Sequence, residues 1–267
     1  MSNAKPITLG SLRRFNGVMG FLHFLQGGAM IALYFLIDKI RDFKAPIWTN
    51  YLAAGKTPAG DVFLRTDPKE IGNLPFGILV AVFLLLSAAA HLIITTVGNR
   101  KYNEDIQKGI NRFRWFEYAL SSSFMIVLIA NLFGVFDLGE LIVIFVVNAA
   151  MNLFGLLMEE LNQYTQKVHW GAFVWGSIAG IAPWIVIVLH TLGNGGDVAA
   201  ETPWFVWAIL GSYFFFFNTF PVNMILQYKK VGAWKDYLFG EKTYITLSLV
   251  AKTVLAWLVF AGAMQPR

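Results

Sequence analysis

Seven stretches of this chain are each long and apolar enough to cross a hydrocarbon core of ~30 Å as a helix of ~20 residues. They fall at about 15–37, 74–97, 113–136, 138–158, 168–190, 204–226 and 243–264. Composition agrees: 57% of the residues are hydrophobic and only 14% are charged, where a soluble globular chain carries about 25% charged residues. The expected fold is an all-α integral membrane protein, a seven-helix bundle forming a single domain over 1–267. The first fourteen residues are polar and the first apolar run is long, so no cleavable signal peptide is expected. With no cysteine there are no disulfides, thiolate metal sites or cysteine nucleophiles. The net charge of +5 is spread over several loops, which reads as juxtamembrane flanks and not as a nucleic-acid footprint. Aromatic residues at 16% suit lipid contact, interfacial belts and an aromatic-lined ligand cavity.

The third and fourth spans are separated only by a tight turn around Asp137, which makes them antiparallel neighbours. The long connection is the first, 38–73, rich in Pro, Gly, Lys and Asp. It holds two short strand-like pieces, Pro46 to Leu52 and Asp61 to Arg65, around Gly55 and Gly60, the pattern of a β-hairpin. Basic residues set the orientation. Lys5, Arg13 and Arg14 precede the first span, and the other even-numbered connections hold Arg100 to Arg114, Lys167 and Lys229 to Lys242. The opposite face has basic residues only in the long first loop and at Arg267, and none around Asp137 or at 191–203. The N-terminus is therefore expected in the cytoplasm and the C-terminus outside.

Lys252 interrupts the seventh span. A charge at mid-bilayer costs at least ~2.5–3.5 kcal/mol. Lys252 lies roughly 13 Å from the start of its run near Thr243, at ~1.5 Å per residue, about twice what a lysine stem can snorkel. A buried lysine readily becomes a Schiff-base lysine, so the question is whether a counterion exists. Glu117 lies four residues into the third span, Ser248 five into the seventh, His23 eight into the first, and His91 six before the end of the second. With alternating spans, all four share the cytoplasmic half with the Lys252 side chain, whose Cα–Cβ bond leans toward the helix N-terminus and Ser248.

Each of these residues also has an ordinary reading. Glu117 can pair at the interface with Arg114, three residues earlier. His23 and His91 can be structural histidines bonded to neighbouring backbone. Ser248 and Ser121 can bond their own helix carbonyls, although Ser248 stands one turn before Lys252 and Ser121 one turn after Glu117. Between mid-depth and the outer face lie Gln26, Asn131, Asn148 and Ser212, with no ionisable residue well inside a helix. A proton pump needs titratable groups on both sides of its switch, and this asymmetry argues against vectorial transport.

These residues together carry a resemblance. Seven spans, Lys252 in the seventh with Ser248 one turn earlier, and Glu117 three residues after Arg114 look like a retinal-binding rhodopsin. The inverted topology, the Phe-Leu-His23 segment, His91 and Arg-Trp-Phe-Glu117-Tyr resemble the heliorhodopsins along essentially the whole chain. The resemblance implies that Lys252 binds all-trans retinal as a protonated Schiff base, with Glu117 as counterion and Ser248 close by. Asn148, Met151, Gly155 and Phe217 match positions expected near the chromophore, though each has an equally good packing explanation, and Ser121 joins the site as a residue able to hydrogen-bond the Glu117 carboxylate. His23 and His91, with Arg114 and Glu159, would belong to an inner polar network that receives or relocates a proton; Glu160 beside Glu159 blurs that last match. A homodimer is implied, with the long first loop folded over the outer face.

The expected activity is photosensory and not enzymatic: light drives a conformational change and a proton relocation without ion pumping, read by an unidentified cytoplasmic partner. Three other readings remain open. One is a light-gated channel or transporter, another an unrelated seven-helix protein using Lys252 and Glu117 as a plain ion pair. The third, compatible with a photosensor, is light-dependent regulation of a soluble partner enzyme.

Overall fold

The computed structural model describes residues 6–193 and 202–264. Lys5, Arg267 and most of the connection at 191–203, used above for orientation, lie outside the described residues. Seven helices are long and apolar enough to cross a membrane. They are α1 (Leu9–Leu36), α3 (Phe76–Thr95), α5 (Arg112–Leu132), α6 (Leu138–Leu161), α7 (Gly171–Leu192), α8 (Trp204–Tyr228) and α9 (Tyr237–Ala263). Two short helices, α2 (Asp38–Arg41) and α4 (Asn99–Gln107), lie in the first two connections, and a 3₁₀ turn, Gly232–Lys235, precedes α9.

Caps explain where the helices depart from the apolar runs. Thr8 Oγ1 accepts from Ser11 N at 3.1 Å and Ser11 Oγ accepts from Thr8 N at 2.9 Å, a capping box that starts α1 earlier than hydropathy suggests. Asp236 accepts from Leu238 N at 3.0 Å, so α9 begins at Tyr237 and brings Glu241 into the bundle. Asn111 caps α5 and Asp137 caps α6. Gly134, at φ +93°, makes the left-handed turn between them.

The long first connection holds a two-stranded antiparallel sheet, β1 (Lys44–Lys56) and β2 (Val62–Pro75), with Lys56 opposite Val62. Its strands run well beyond the two short pieces read from residue type, because backbone pairing continues through the Pro, Gly and charged positions. The ribbon is docked on the α5–α6 turn. Trp48 N donates to Phe136 O at 2.8 Å, Asn50 Nδ2 to Asp137 Oδ2 at 3.0 Å, and Asn131 Nδ2 on α5 to Pro46 O at 3.3 Å.

The bundle has two unlike halves. Toward the hairpin, Met30, Phe83, Leu84, Ile126, Ile129 and Leu255 belong to one hydrophobic core, which also holds Trp184 and Tyr213. Toward α4, the buried residues include Asn16, His23, His91, Arg114, Glu159 and Glu241. On α1, Gly20 allows close approach of α3, since a Cβ there would meet His91 Cβ at 2.6 Å.

Asp137→Ala removes the acceptor for Gly139 N, Glu140 N and Asn50 Nδ2. It is expected to cost about 1–2 kcal/mol, read as a lowered thermal midpoint in detergent.

Candidate functional site

Lys252 is carried by α9 into the centre of the bundle and is only 3% exposed. Its Nζ donates to Glu117 Oε1 on α5 at 2.7 Å, to Ser87 Oγ on α3 at 2.6 Å, and to Ser248 Oγ on its own helix at 2.9 Å. An ammonium has three hydrogens and no acceptor, so these three oxygens satisfy it. Ser87 Oγ in turn donates to Glu117 Oε1 at 2.6 Å. The pair is buried, and each charge compensates the other in a medium where either alone would be expensive.

Ser87 was not foreseen. The signal for it was present: it stands one turn before His91 on the same helix. Ser121, one turn after Glu117, is buried at 0% exposure and lines a cavity together with Lys252.

That cavity has a volume of about 250 Å³ and runs among α5, α6, α7, α8 and α9. Its walls are mostly apolar, with Trp115, Tyr118, Phe217 and Phe220 as the large aromatic surfaces. Met151 and Gly155 also line it. A Cβ on Gly155 would come within 2.3 Å of the Trp115 ring, and one on Gly180 within 2.6 Å of Met151 Sδ. Both glycines therefore let large side chains form the wall where a methyl group would push them into the space. Asn148 is placed differently from the expectation. It stands behind the wall, where its Nδ2 donates to Ser122 Oγ at 2.8 Å and Ser123 Oγ at 3.0 Å. It thereby ties α6 to α5, because a buried amide is drawn to the nearest hydroxyl acceptors.

On the other side of the Lys252–Glu117 pair is a small chamber of about 30 Å³. Ser87, His91, Glu117, Ser248, Asn16 and Arg114 line it, together with the apolar Ala90, Ile94, Phe113 and Ile245. His91 Nδ1 is 2.8 Å from Asn16 Oδ1, so its partner is a side chain and not the backbone. His23 is fully buried, stacked on His91 at 5.7 Å between ring centres, and its ring nitrogens have no hydrogen-bond partner among the described residues. Asn16 is a second residue missed in the sequence, although it lies two helical turns before His23 on the same face of α1. Tyr102 of α4, near Asn16, is buried, which pushes its phenol up to about 12.

Arg114 is not the partner of Glu117. Its guanidinium pairs with Glu159 of α6 and Glu241 of α9. The reason is geometric, since the Arg114 side chain leans toward the N-terminus of α5, away from Glu117. Glu159 also accepts from Asn111 N at 2.9 Å and Trp115 Nε1 at 2.7 Å, and Glu241 accepts from Asn111 Nδ2 at 2.6 Å. Glu160, its neighbour in sequence, turns outward to Arg112 at 2.8 Å. The carboxylate inside is therefore Glu159. Glu241 was outside the expected seventh span, yet residues 241, 245, 248 and 252 form one helical stripe.

Arg114→Met strands two buried carboxylates and is expected to cost about 3–5 kcal/mol. Glu160→Gln, at the exposed pair, should cost less than about 1 kcal/mol. Thermal unfolding of the two variants side by side measures the difference.

Residues 12–264 match the heliorhodopsin family model. No curated protein matches the chain. With seven membrane-crossing helices around a mostly apolar cavity lined by the lysine of a buried lysine–carboxylate pair, the match covers nearly every element described above. The chain belongs to the heliorhodopsin family, light-sensing rhodopsins with a retinal chromophore, and is a multi-pass integral membrane protein.

Proposed function

We propose that the chain, as one seven-helix domain, is a photosensor in which Lys252 Nζ carries all-trans retinal as a Schiff base and Glu117 is the counterion. The observation that carries this reading is the Nζ–Oε1 distance of 2.7 Å, with Lys252 lining a mostly apolar cavity. Bound there, retinal supplies light absorption and an isomerisation inside the cavity. Every other step belongs to the protein.

The free ammonium stands in for the linked nitrogen, which would keep one hydrogen where the ammonium has three. Of the three oxygens around Nζ, the carboxylate of Glu117 is the strongest acceptor, and Ser87 and Ser248 orient it. Trp115, Tyr118, Phe217 and Phe220 hold the polyene and exclude water. A proton released from Nζ faces the small chamber and the His23–His91 pair on the α4 side. On the hairpin side it faces the hydrophobic core, which supports relocation of the proton without transport. Arg13, Arg14, Arg100, Lys101, Lys229 and Lys230 cluster at the α4 end, which supports placing that end in the cytoplasm. A cytoplasmic partner would read rearrangement there. The homodimer expected from the resemblance finds support in exposed apolar positions on the ribbon, such as Leu52 at 75% and Leu64 at 68%.

Expression with all-trans retinal is expected to give a visible absorption band that Lys252→Ala abolishes. A colourless, folded and inserted wild type would remove the retinal reading. Glu117→Gln should shift the band to shorter wavelength at neutral pH, because the linked nitrogen then loses its proton more readily; an unchanged spectrum takes the counterion role from Glu117. Illuminated cell suspensions should show no protonophore-sensitive pH change, and a sustained one would replace the sensor with a transporter.

A further inference from the structure

The side chain of Asn16 has a fixed direction. Its Nδ2 donates to Leu12 O at 2.9 Å and approaches Tyr102 OH at 3.5 Å. The reversed amide would place its oxygen against the Leu12 carbonyl, two acceptors facing each other without a proton. Oδ1 must therefore be the atom 2.8 Å from His91 Nδ1. An amide oxygen only accepts, so the shared proton is on Nδ1. In a neutral imidazole the other nitrogen is then bare.

We infer that Asn16 is a positioning residue for the proton relocation: it holds His91 as the Nδ1–H tautomer and so leaves Nε2 as the base that receives the proton released from Lys252 Nζ. Without this bond the tautomer would be set by whatever else the ring meets. His91 lines the same chamber as Glu117, Ser87 and Ser248, the three groups bonded to Nζ. The transfer balances simply: the N–H bond at Nζ breaks, an N–H bond forms at His91 Nε2, and the positive charge moves from the linked nitrogen to the imidazolium. The Nδ1–H bond to Asn16 persists throughout, and it strengthens as the ring becomes cationic. His23, stacked on the same ring at 5.7 Å, holds no such fixed partner among the described residues.

This inference rests on the photosensor reading for its kinetics but not for its first test. In full-length protein labelled with ¹⁵N-histidine, with His91→Asn used for assignment, dark-state His91 is expected to show a protonated Nδ1 and a bare Nε2. Asn16→Leu, which removes the acceptor, should shift the tautomer ratio toward Nε2–H by about tenfold, the ratio one net hydrogen bond supplies. In flash photolysis, proton departure from Nζ should slow about tenfold in Asn16→Leu. An Nε2–H tautomer in dark wild type overturns the proposal, and this reading stands even where Asn16→Leu does not fold. An unchanged tautomer in folded Asn16→Leu overturns it too. A switched tautomer with an unchanged proton-departure rate removes Nε2 as the acceptor. Failure of the photosensor reading appears separately, as a colourless protein whose dark tautomer is still measurable.

Discussion

An amine in the middle of a bilayer needs an acceptor for each hydrogen, and Lys252 finds its three on α3, α5 and α9. Much of the bundle follows from that requirement. Three helices must meet at one level, with Ser87 and Glu117 turned toward the same point. The arrangement is a poor way to gain stability, since buried ion pairs often do no better than well-packed apolar residues. Its worth lies in what it prepares, a nitrogen whose charge is held in place by groups that can be rebalanced. A hydrophobic core lies on the hairpin side of the pair, and the buried histidines lie on the other.

Arg114 and its two carboxylates are of another kind. The groups bonded to Glu159 and Glu241 are all hydrogen-bond donors: the guanidinium, Asn111, Trp115 and Tyr237. Such a set compensates both buried carboxylates. It binds α5, α6 and α9 together at the α4 end. Trp115 belongs to both regions, its ring in the cavity wall and its Nε1 on Glu159. Close-packed interiors transmit displacement poorly through voids and well through such rigid side chains.

Much of this was legible in the residues. The seven spans follow from apolar length alone, and Lys252, Ser248 and Glu117 could be grouped by depth. Lateral placement was harder. Ser87 was lost among helix-bonding serines, which are ordinary in membrane helices. Glu241 was hidden because a polar first turn is invisible to hydropathy; only the Asp236 cap places it inside α9. Asn148 was expected near a chromophore; its hydrogen bonds to the hydroxyls of Ser122 and Ser123 could not be read from spacing along the chain. Arg114 and Glu117 share a helix face by spacing, and only the directions of the side chains separate them. The extent of the ribbon was unreadable for a different reason: backbone pairing, not residue type, sets where its strands end.

The ribbon docked on the α5–α6 turn sets what α5 can do. Asn131, near the end of that helix, is bonded to Pro46 O and Val135 O, and the turn beyond it is bonded to Trp48 and Asn50. The helix is thereby pinned at one end, while Glu117 and Trp115 sit toward the other. Its other end is fastened too, by Asn111 and Arg114 on Glu159 and Glu241. A push from the cavity therefore meets a beam held at both ends, whose least restrained part is the middle turn between Glu117 and Asn131.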